Sequence, residues 1–411
     1  MEYYNKYFEG VFWLPERENR KIISTLFIDK NGIATITSLE SLEINEDMFN
    51  RVWNNFNLVL GYINCNEKSK TYSIKLYDVN KSHQSRGRLT KFKYTCKNPL
   101  ISQSYDEQIN SNFYNSLMLN SVIINNWIPI SGFENKSNIE NRSFEVNQSY
   151  KQPEIIELFN NKDYNIYLFF RASAGYKNRR QSFINENVFI NIETIEHFEI
   201  QELPKIKSTI ERLFNLLLFK PFYFENTEIR TTNKKDYKVV KKQNELNQSL
   251  NNEIEFEIFK NQSQNIILKW FEKQDKLGLA VLNFFSVFGQ KGVLIENKFL
   301  TYISILENYH KNHIKKNQDL KWRIKYLLEN SSIKNILNDI EKFSEILKTT
   351  RNYHAHLEEK HKEKSLNTED IYKANNLLEF IIREILLREI GIIENSKTPS
   401  EIIEFINILN E

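Results

Sequence analysis

The chain has 411 residues, 40% hydrophobic and 13% aromatic, enough for two or three packed domains at about 150 residues each. A formal net charge of +3 excludes a global field driving it onto nucleic acid, so any polyanion site must be a local patch. Only Cys65 and Cys96 are present, which excludes a disulfide framework and fits a reducing cytosol, a single Cys65–Cys96 bridge staying open.

The start, Met1-Glu2-Tyr3-Tyr4-Asn5, lacks the basic stretch and apolar run of a secretory leader. The longest apolar run, residues 277–288, contains Gly278 and Asn283 and falls short of the roughly 20 residues a span needs. A cytoplasmic protein with no membrane partner is expected.

Residues 1–200 read as β-rich. The run 22–29 closes at Lys30-Asn31-Gly32 and resumes at 33–37, which predicts a hairpin. Residues 71–78 alternate, with Tyr72, Ile74 and Leu76 on one face and Lys75 on the other. Residues 121–130 hold an Ile pair and Trp127, then stop at Pro129 and Gly132. Residues 166–170 and the alternating Val188, Ile190 and Ile192 add further strands. Short strands without interleaved helices predict an antiparallel sheet or sandwich. The stretch 172–180, small residues with a basic end at Arg179 and Arg180, reads as a solvated hairpin tip, or alternatively as the lining of a polyanion site.

Residues 201–265 read as a helical and linker region. Pro204 suits a helix start, and Ile206, Ile210, Leu213, Phe214 and Leu217 follow helical spacing. The polar run 230–250, with Lys234, Lys235, Lys238, Lys241 and Lys242, reads as a solvated loop or a basic contact.

Residues 266–411 predict an all-α bundle of roughly five or six helices. Ile266, Trp270, Leu277, Val281 and Phe284 mark the first pattern, and Phe299, Ile303, Leu306, Tyr309 and His310 the second. Trp322, Tyr326 and Leu327 mark a short third piece. Ile333, Ile336, Leu337, Ile340, Phe343 and Leu347 form one stripe on a fourth. Asn367 or Thr368 caps a fifth, whose buried face is Ile371, Leu378, Ile381, Ile382, Ile385 and Leu386. A final short helix follows Pro399-Ser400. The whole is an α+β multidomain chain, antiparallel β-rich first and all-α last.

The chemistry collects in Arg351-Asn352-Tyr353-His354-Ala355-His356. Five of the seven histidines fall between His310 and His361, and Arg351 and His356 form the one Arg-x4-His pair in the sequence. Arginine is a permanent phosphate fork and histidine moves protons near neutrality, so the two can hold a phosphodiester and do acid/base work on it. Arg351 continues the stripe of Phe343 and Leu347 and takes a position where a core residue is expected. On a regular helix Arg351 and His356 lie about 140° apart. One copy therefore reads as half a site, and a symmetric homodimer would complete it. A plainer reading makes Arg351 a structural ion pair and the two histidines part of a polar surface run. Lys311, Lys315, Lys316, Lys321, Arg323 and Lys325 give a nearby basic face, either solvated or touching an RNA backbone. His310 and His313 with His354 and His356 open a metal reading, but no HExxH pattern or Cys cluster accompanies them. No metal and no cofactor is expected.

Residues 266–395, through that hexapeptide and the helical order around it, resemble the HEPN superfamily. Glu307, in Ser304-Ile305-Leu306-Glu307-Asn308-Tyr309, resembles the acid often found on an earlier HEPN helix. Gly10-Val11-Phe12-Trp13-Leu14-Pro15, followed by the 22–32 hairpin, resembles the opening of the ApeA N-terminal domain, which is joined to HEPN in bacterial anti-phage defence proteins. The resemblance implies a metal-independent endoribonuclease acting as a dimer. It implies His356 as general acid/base, Arg351 on the scissile phosphate, Asn352 orienting either, and Glu307 positioning Arg351. Lys311, Lys315, Lys316, Arg323 and His354 are expected to touch RNA. Expected partners are tRNA or another cellular RNA and a phage-derived trigger sensed by the N-terminal domain. Two rivals stand beside this: a non-catalytic HEPN module binding nucleotide, RNA or protein, and a metal-dependent hydrolase using the clustered histidines.

Overall fold

The structure is a computed structural model that describes residues 3–43, 55–65, 70–85, 90–102, 104–140, 143–178, 181–240, 253–290, 292–356, 358–392 and 398–410. Two compact units emerge. One contains residues 1–205 and 224–244, the other residues 206–223 and 245–411.

The first unit is built on a barrel. Its strands are β1 (Lys6–Trp13), β2 (Ile22–Ile28), β3 (Ile33–Ser38), β4 (Asn55–Cys65), β5 (Lys70–Ser85) and β6 (Lys91–Lys97). They pair antiparallel in the order β5-β4-β1-β2-β3-β6, and β6 pairs back onto β5 to close the ring. Closure leaves these strands no open edge. The predicted hairpin is β2–β3: Asp29 Oδ1 accepts from Asn31 N at 2.8 Å and Ile33 N at 2.9 Å, which pins the turn. Alternation along β2 and β3 fills the barrel with Ile22, Leu26, Ile28, Ala34 and Ile36, joined by Phe8, Phe12, Val59, Ile63, Ile74 and Tyr94. At Gly10, β1 passes β4 so closely that a Cβ would stand 2.4 Å from the Tyr62 carbonyl oxygen. Cys96 is a free, buried thiol, pushed up to about 12 by burial.

The sheet continues outward from β5 through β7 (Leu100–Ser102), and the next strand in sequence is β8 (Tyr114–Asn120). Residues 121–130 depart from the strand expectation. Val122–Trp127 is a short helix, α1, because the Ser121 side chain accepts from Ile123 N and caps it. A separate hairpin, β9 (Phe133–Glu140) and β10 (Ser143–Tyr150), precedes β11 (Ile156–Asn160), β12 (Tyr164–Asn178) and β13 (Gln181–Phe198). The small-residue stretch 172–178 is thus the outer half of β12, paired to β13, and not a loop; Arg179 and Arg180 lie outside the described residues.

The polar run 230–250 departs from its loop reading at its start, where Arg230 and Thr231 end β14 (Asn226–Thr231) and residues 236–239 are β15 (Asp236–Val239). β14 pairs with β8 and β15 with β7, which completes the order β11-β12-β13-β8-β14-β15-β7-β5. The charges are locally tied: Arg230 Nε bonds Asp236 at 2.7 Å and Lys235 Nζ bonds the Tyr105 carbonyl at 3.1 Å. Lys241 and Lys242 lie outside the described residues.

A buried polar cluster sits on the face of β5 opposite Ile74 and Leu76. The Lys75 side chain donates to the Ser111 carbonyl and lies 4.8 Å from the Tyr237 ring and 5.3 Å from the Tyr114 ring. Asp106 accepts from the Tyr237 hydroxyl at 2.7 Å, and the Tyr77 and Tyr114 hydroxyls meet at 2.9 Å. Burial pushes Lys75 down to about 8, against a smaller opposing pull from Asp106.

The second unit is helical. Its elements are α2 (Leu203–Leu218), α3 (Phe256–Leu277), α4 (Leu279–Val287), α5 (Ile295–His313), α6 (Leu320–Glu329), α7 (Ile340–His356), α8 (Thr368–Glu389) and α9 (Ser400–Asn410). The region read as 201–265 therefore falls into three parts: α2, two strands of the sheet, and the first turns of α3. α3 starts ten residues before the expected Ile266 because Phe256, Phe259 and Ser263 extend its buried face. The expected single stripe from Ile333 to Leu347 is broken. Ser332–Asn335 is a 3-10 turn, and α7 begins after Asp339, whose carboxylate accepts from Lys342 N at 2.8 Å. α8 carries the predicted Asn367 cap and buries Ile371, Leu378, Ile381, Ile382 and Leu386, with Ile385 half-buried. Its fully buried Arg383 donates to the Leu216 and Leu217 carbonyls at 2.8 and 3.0 Å and packs 4.6 Å from the Phe219 ring. Trp270 Nε1 donates to the Thr209 carbonyl at 2.9 Å. These bonds make α2 part of the helical core. No helix is long and apolar enough to cross a membrane, among the described residues.

Candidate active site

α7 presents Phe343, Leu347 and Thr350 to the bundle, and Arg351 follows half-buried on the same side. The last helical residue is His356, which is exposed. Thr350 Oγ1 accepts from Leu366 N at 3.0 Å, tying the segment after the motif back onto the helix.

The two motif residues meet within one chain. Arg351 Nη1 lies 3.0 Å from His356 Nε2 and donates to Asn352 Oδ1 at 3.2 Å. An ideal helix separates Arg351 and His356 by about 140°, but the long arginine side chain spans that angle at the helix end. One chain therefore brings the two groups together without a second copy. Guanidinium only donates, so this contact needs a lone pair on Nε2: a neutral imidazole with its proton on Nδ1. The arrangement joins a fixed cation to a nitrogen that can accept a proton. His354 is half-buried, its ring set against Tyr353 at 4.9 Å and 70°. Beyond the helix, Glu358 is held below the usual carboxylate range by Lys360 first, then by His361 and His356.

Two expectations are corrected. Glu307 is on α5 and Arg351 on α7, but the Glu307 carboxylate bonds Arg323 Nη1 of α6 at 3.1 Å. The acid thus answers a buried cation on the helix that follows its own. Arg323, expected at the RNA surface, is buried; its Nη2 donates to the Lys316 carbonyl at 2.8 Å, so its charge is spent inside the bundle. Lys311, Lys315 and Lys316 are exposed. Lys321 and Lys325 are neutralised by acids of α7: Lys321 by Glu341 at 2.5 Å and Glu345 at 3.4 Å, Lys325 by Glu341 at 2.5 Å.

Among the described residues no group of three His, Cys, Asp or Glu side chains could hold a metal ion. His310 is instead fully buried, edge-on to both Trp322 and Tyr326 with ring centroids 5.2 Å away from each, and His313 packs 5.2 Å from Tyr309. Burial first, then Arg323, pushes His310 below the usual histidine value. This aromatic group was visible in sequence only as spaced core positions. What marks it out is its exposure pattern, which no spacing encodes.

A helical bundle whose helix α7 ends on an arginine–histidine pair, following a barrel-based sheet, defines a two-part protein. Residues 8–284 match the family described as ApeA N-terminal domain 1, and residues 295–396 match the one described as Apea-like HEPN. The first match spans more than half of the chain, which belongs to the ApeA N-terminal domain 1 family and carries an Apea-like HEPN domain at its C-terminal side. No curated protein and no solved structure gives a match.

Proposed function

We propose that the chain is a metal-independent endoribonuclease of anti-phage defence, cutting cellular RNA once the β-rich unit senses a phage-derived signal. The observation that carries this is the 3.0 Å approach of Arg351 Nη1 to His356 Nε2 inside the region matched as Apea-like HEPN. In the proposed reaction His356 Nε2 takes the proton of a ribose 2′-hydroxyl. The 2′-oxygen attacks the adjacent phosphorus while Arg351 stabilises the charge building on the phosphate. The P–O5′ bond breaks, and the 5′-oxygen leaves with a proton supplied by water or by the His356 of a second copy in a homodimer. The products are a 2′,3′-cyclic phosphate and a 5′-hydroxyl. The substrate supplies its own nucleophile, so the scheme needs no metal-bound water, and DNA resists. Asn352 steers the guanidinium through its Oδ1 contact.

The test is incubation of full-length protein with cellular RNA in excess chelator, followed by sequencing of the ends. Cyclic-phosphate ends with the native chain, lost in His356→Ala, support the reading. RNA left whole favours a non-catalytic binding module, and cleavage abolished by chelator favours a metal-dependent hydrolase.

A further inference from the structure

The α5–α7 helices bring a second set of groups to the same end of the bundle as the motif. Lys325 pairs with Glu341 and Lys321 with Glu345, so position rises on α6 as it falls on α7, and the two helices run antiparallel. The first turn of α6 therefore lies beside the first two turns of α7, and the rest of α7 continues past the start of α6. Arg351 lies six residues beyond Glu345, about 9 Å further along the axis at 1.5 Å per residue. The Glu307–Arg323 pair ties the second half of α5 to the same end of α6.

What collects there is aromatic and basic. The Trp322 ring is stacked on Tyr326 with centroids 5.3 Å apart and planes at 18°, and Trp322 stays 37% exposed. His310 supports both rings from within, edge-on at 81° and 80°. A neutral, buried ring in that position stiffens the stack. Lys315 Nζ lies 5.7 Å from the Trp322 ring. Lys311, Lys315 and Lys316 form no ion pair among the described residues, whereas Lys321 and Lys325 on the α7 side are neutralised. An exposed indole with an unpaired ammonium, that of Lys315, beside its ring matches an unpaired nucleobase next to a phosphate. Duplex RNA hides the faces of its bases, so it cannot use such a platform.

We propose that Trp322 is a stacking platform for one unpaired base of the RNA, with Lys311, Lys315 and Lys316 holding the neighbouring phosphates, so that this end of the bundle selects single-stranded RNA. The proposal rests on the reading of Arg351 and His356 as an RNA-cutting pair and supplies the substrate form for that site.

The experiment uses full-length His356→Ala protein, which cannot consume its ligand, titrated with a fluorescent single strand of about a dozen nucleotides and with the matching duplex. Trp322→Ala is expected to weaken single-strand binding about tenfold to hundredfold, Trp322→Phe to restore most of it, and duplex binding to change little. The surface triple variant Lys311→Gln, Lys315→Gln, Lys316→Gln, which leaves the ring stack in place, is expected to flatten the salt dependence by about two units of log–log slope. Folded Trp322→Ala that binds single strand like its parent overturns the proposal, as does an unchanged salt slope in the triple variant. If native protein cuts RNA while Trp322→Ala binds and cuts equally well, the platform fails and the nuclease stands. If binding depends on Trp322 but no RNA is cut, the platform stands and the nuclease fails.

Discussion

Arg351 and His356 touch through a contact in which only the arginine can donate, so the Nε2 lone pair accepts its N–H, and in the proposed reaction the guanidinium turns to the phosphate and releases that lone pair for a proton. The two act as one unit. His356→Ala is expected to slow single-turnover RNA cleavage by about 10²–10⁴-fold. Arg351→Lys is expected to lose a similar factor, because an ammonium is a compact point charge and lacks the planar fork that grips a phosphate through two parallel N–H groups. In the double variant the losses should not multiply: a rate within about threefold of the slower single variant is expected for residues that work together. Fully multiplied losses would mean independent roles.

Glu307 offers a contrasting outcome. Its partner Arg323 is buried, so Glu307→Ala leaves an uncompensated cation in the bundle. A partly exposed carboxylate discounts the cost to about 1–3 kcal/mol, read as a lower denaturation midpoint of the helical unit. Cleavage by the protein that remains folded should stay within a few-fold of native. Activity lost as completely as in Arg351→Ala, with the midpoint unmoved, would place Glu307 at the reacting phosphate instead.

The Lys75 cluster predicts a pH signature. The folded Lys75 titrates near 8 and the unfolded one near 10.5. Between those values the unfolded chain binds more protons, so stability rises with pH across that window. Tyr77, Tyr114 and Tyr237 act oppositely, since burial raises all three above 10.0, and their contribution declines as pH climbs past that value. Urea unfolding of the β-rich unit should therefore show stability climbing from pH 8 to about 10 and falling above. Lys75→Met should remove the climb and keep the fall.

Gly289 has φ +66, and a Cβ there would stand 2.1 Å from Pro221 Cβ. Gly289→Ala combines a left-handed backbone penalty with a clash against a rigid ring. A loss of about 2–4 kcal/mol is expected, measurable as a drop in Tm of the helical unit. A Tm unchanged within a degree would mean that Pro221 gives way freely.

Much of this was legible from local chemistry. The β2–β3 turn is written in Asp29 and Gly32, the α8 start in Asn367, and the candidate pair in the hexapeptide that holds Arg351 and His356. What escaped depends on partners distant in sequence. β14 and β15 look like polar linker because their strand character comes from β8 and β7, more than a hundred residues earlier. The partner of Glu307 was misread because an acid does not announce which of two arginines it will meet, and burial of Arg323 decided it. The Arg351–His356 approach contradicts ideal helix angles because side-chain reach is a property of the residue and not of the period.

The passage of the chain between its two units carries a last consequence. It crosses at 205–206, returns at 223–224 and crosses again at 244–245. The helical unit begun at residue 245 would lack α2, and with it the Leu216 and Leu217 carbonyls that receive the buried Arg383 guanidinium. Recombination and proteases both act on a line of residues, and no single cut in this line releases either unit whole. The two units are thus expected to be inherited as a pair, which accords with a family boundary that runs past the sheet to residue 284.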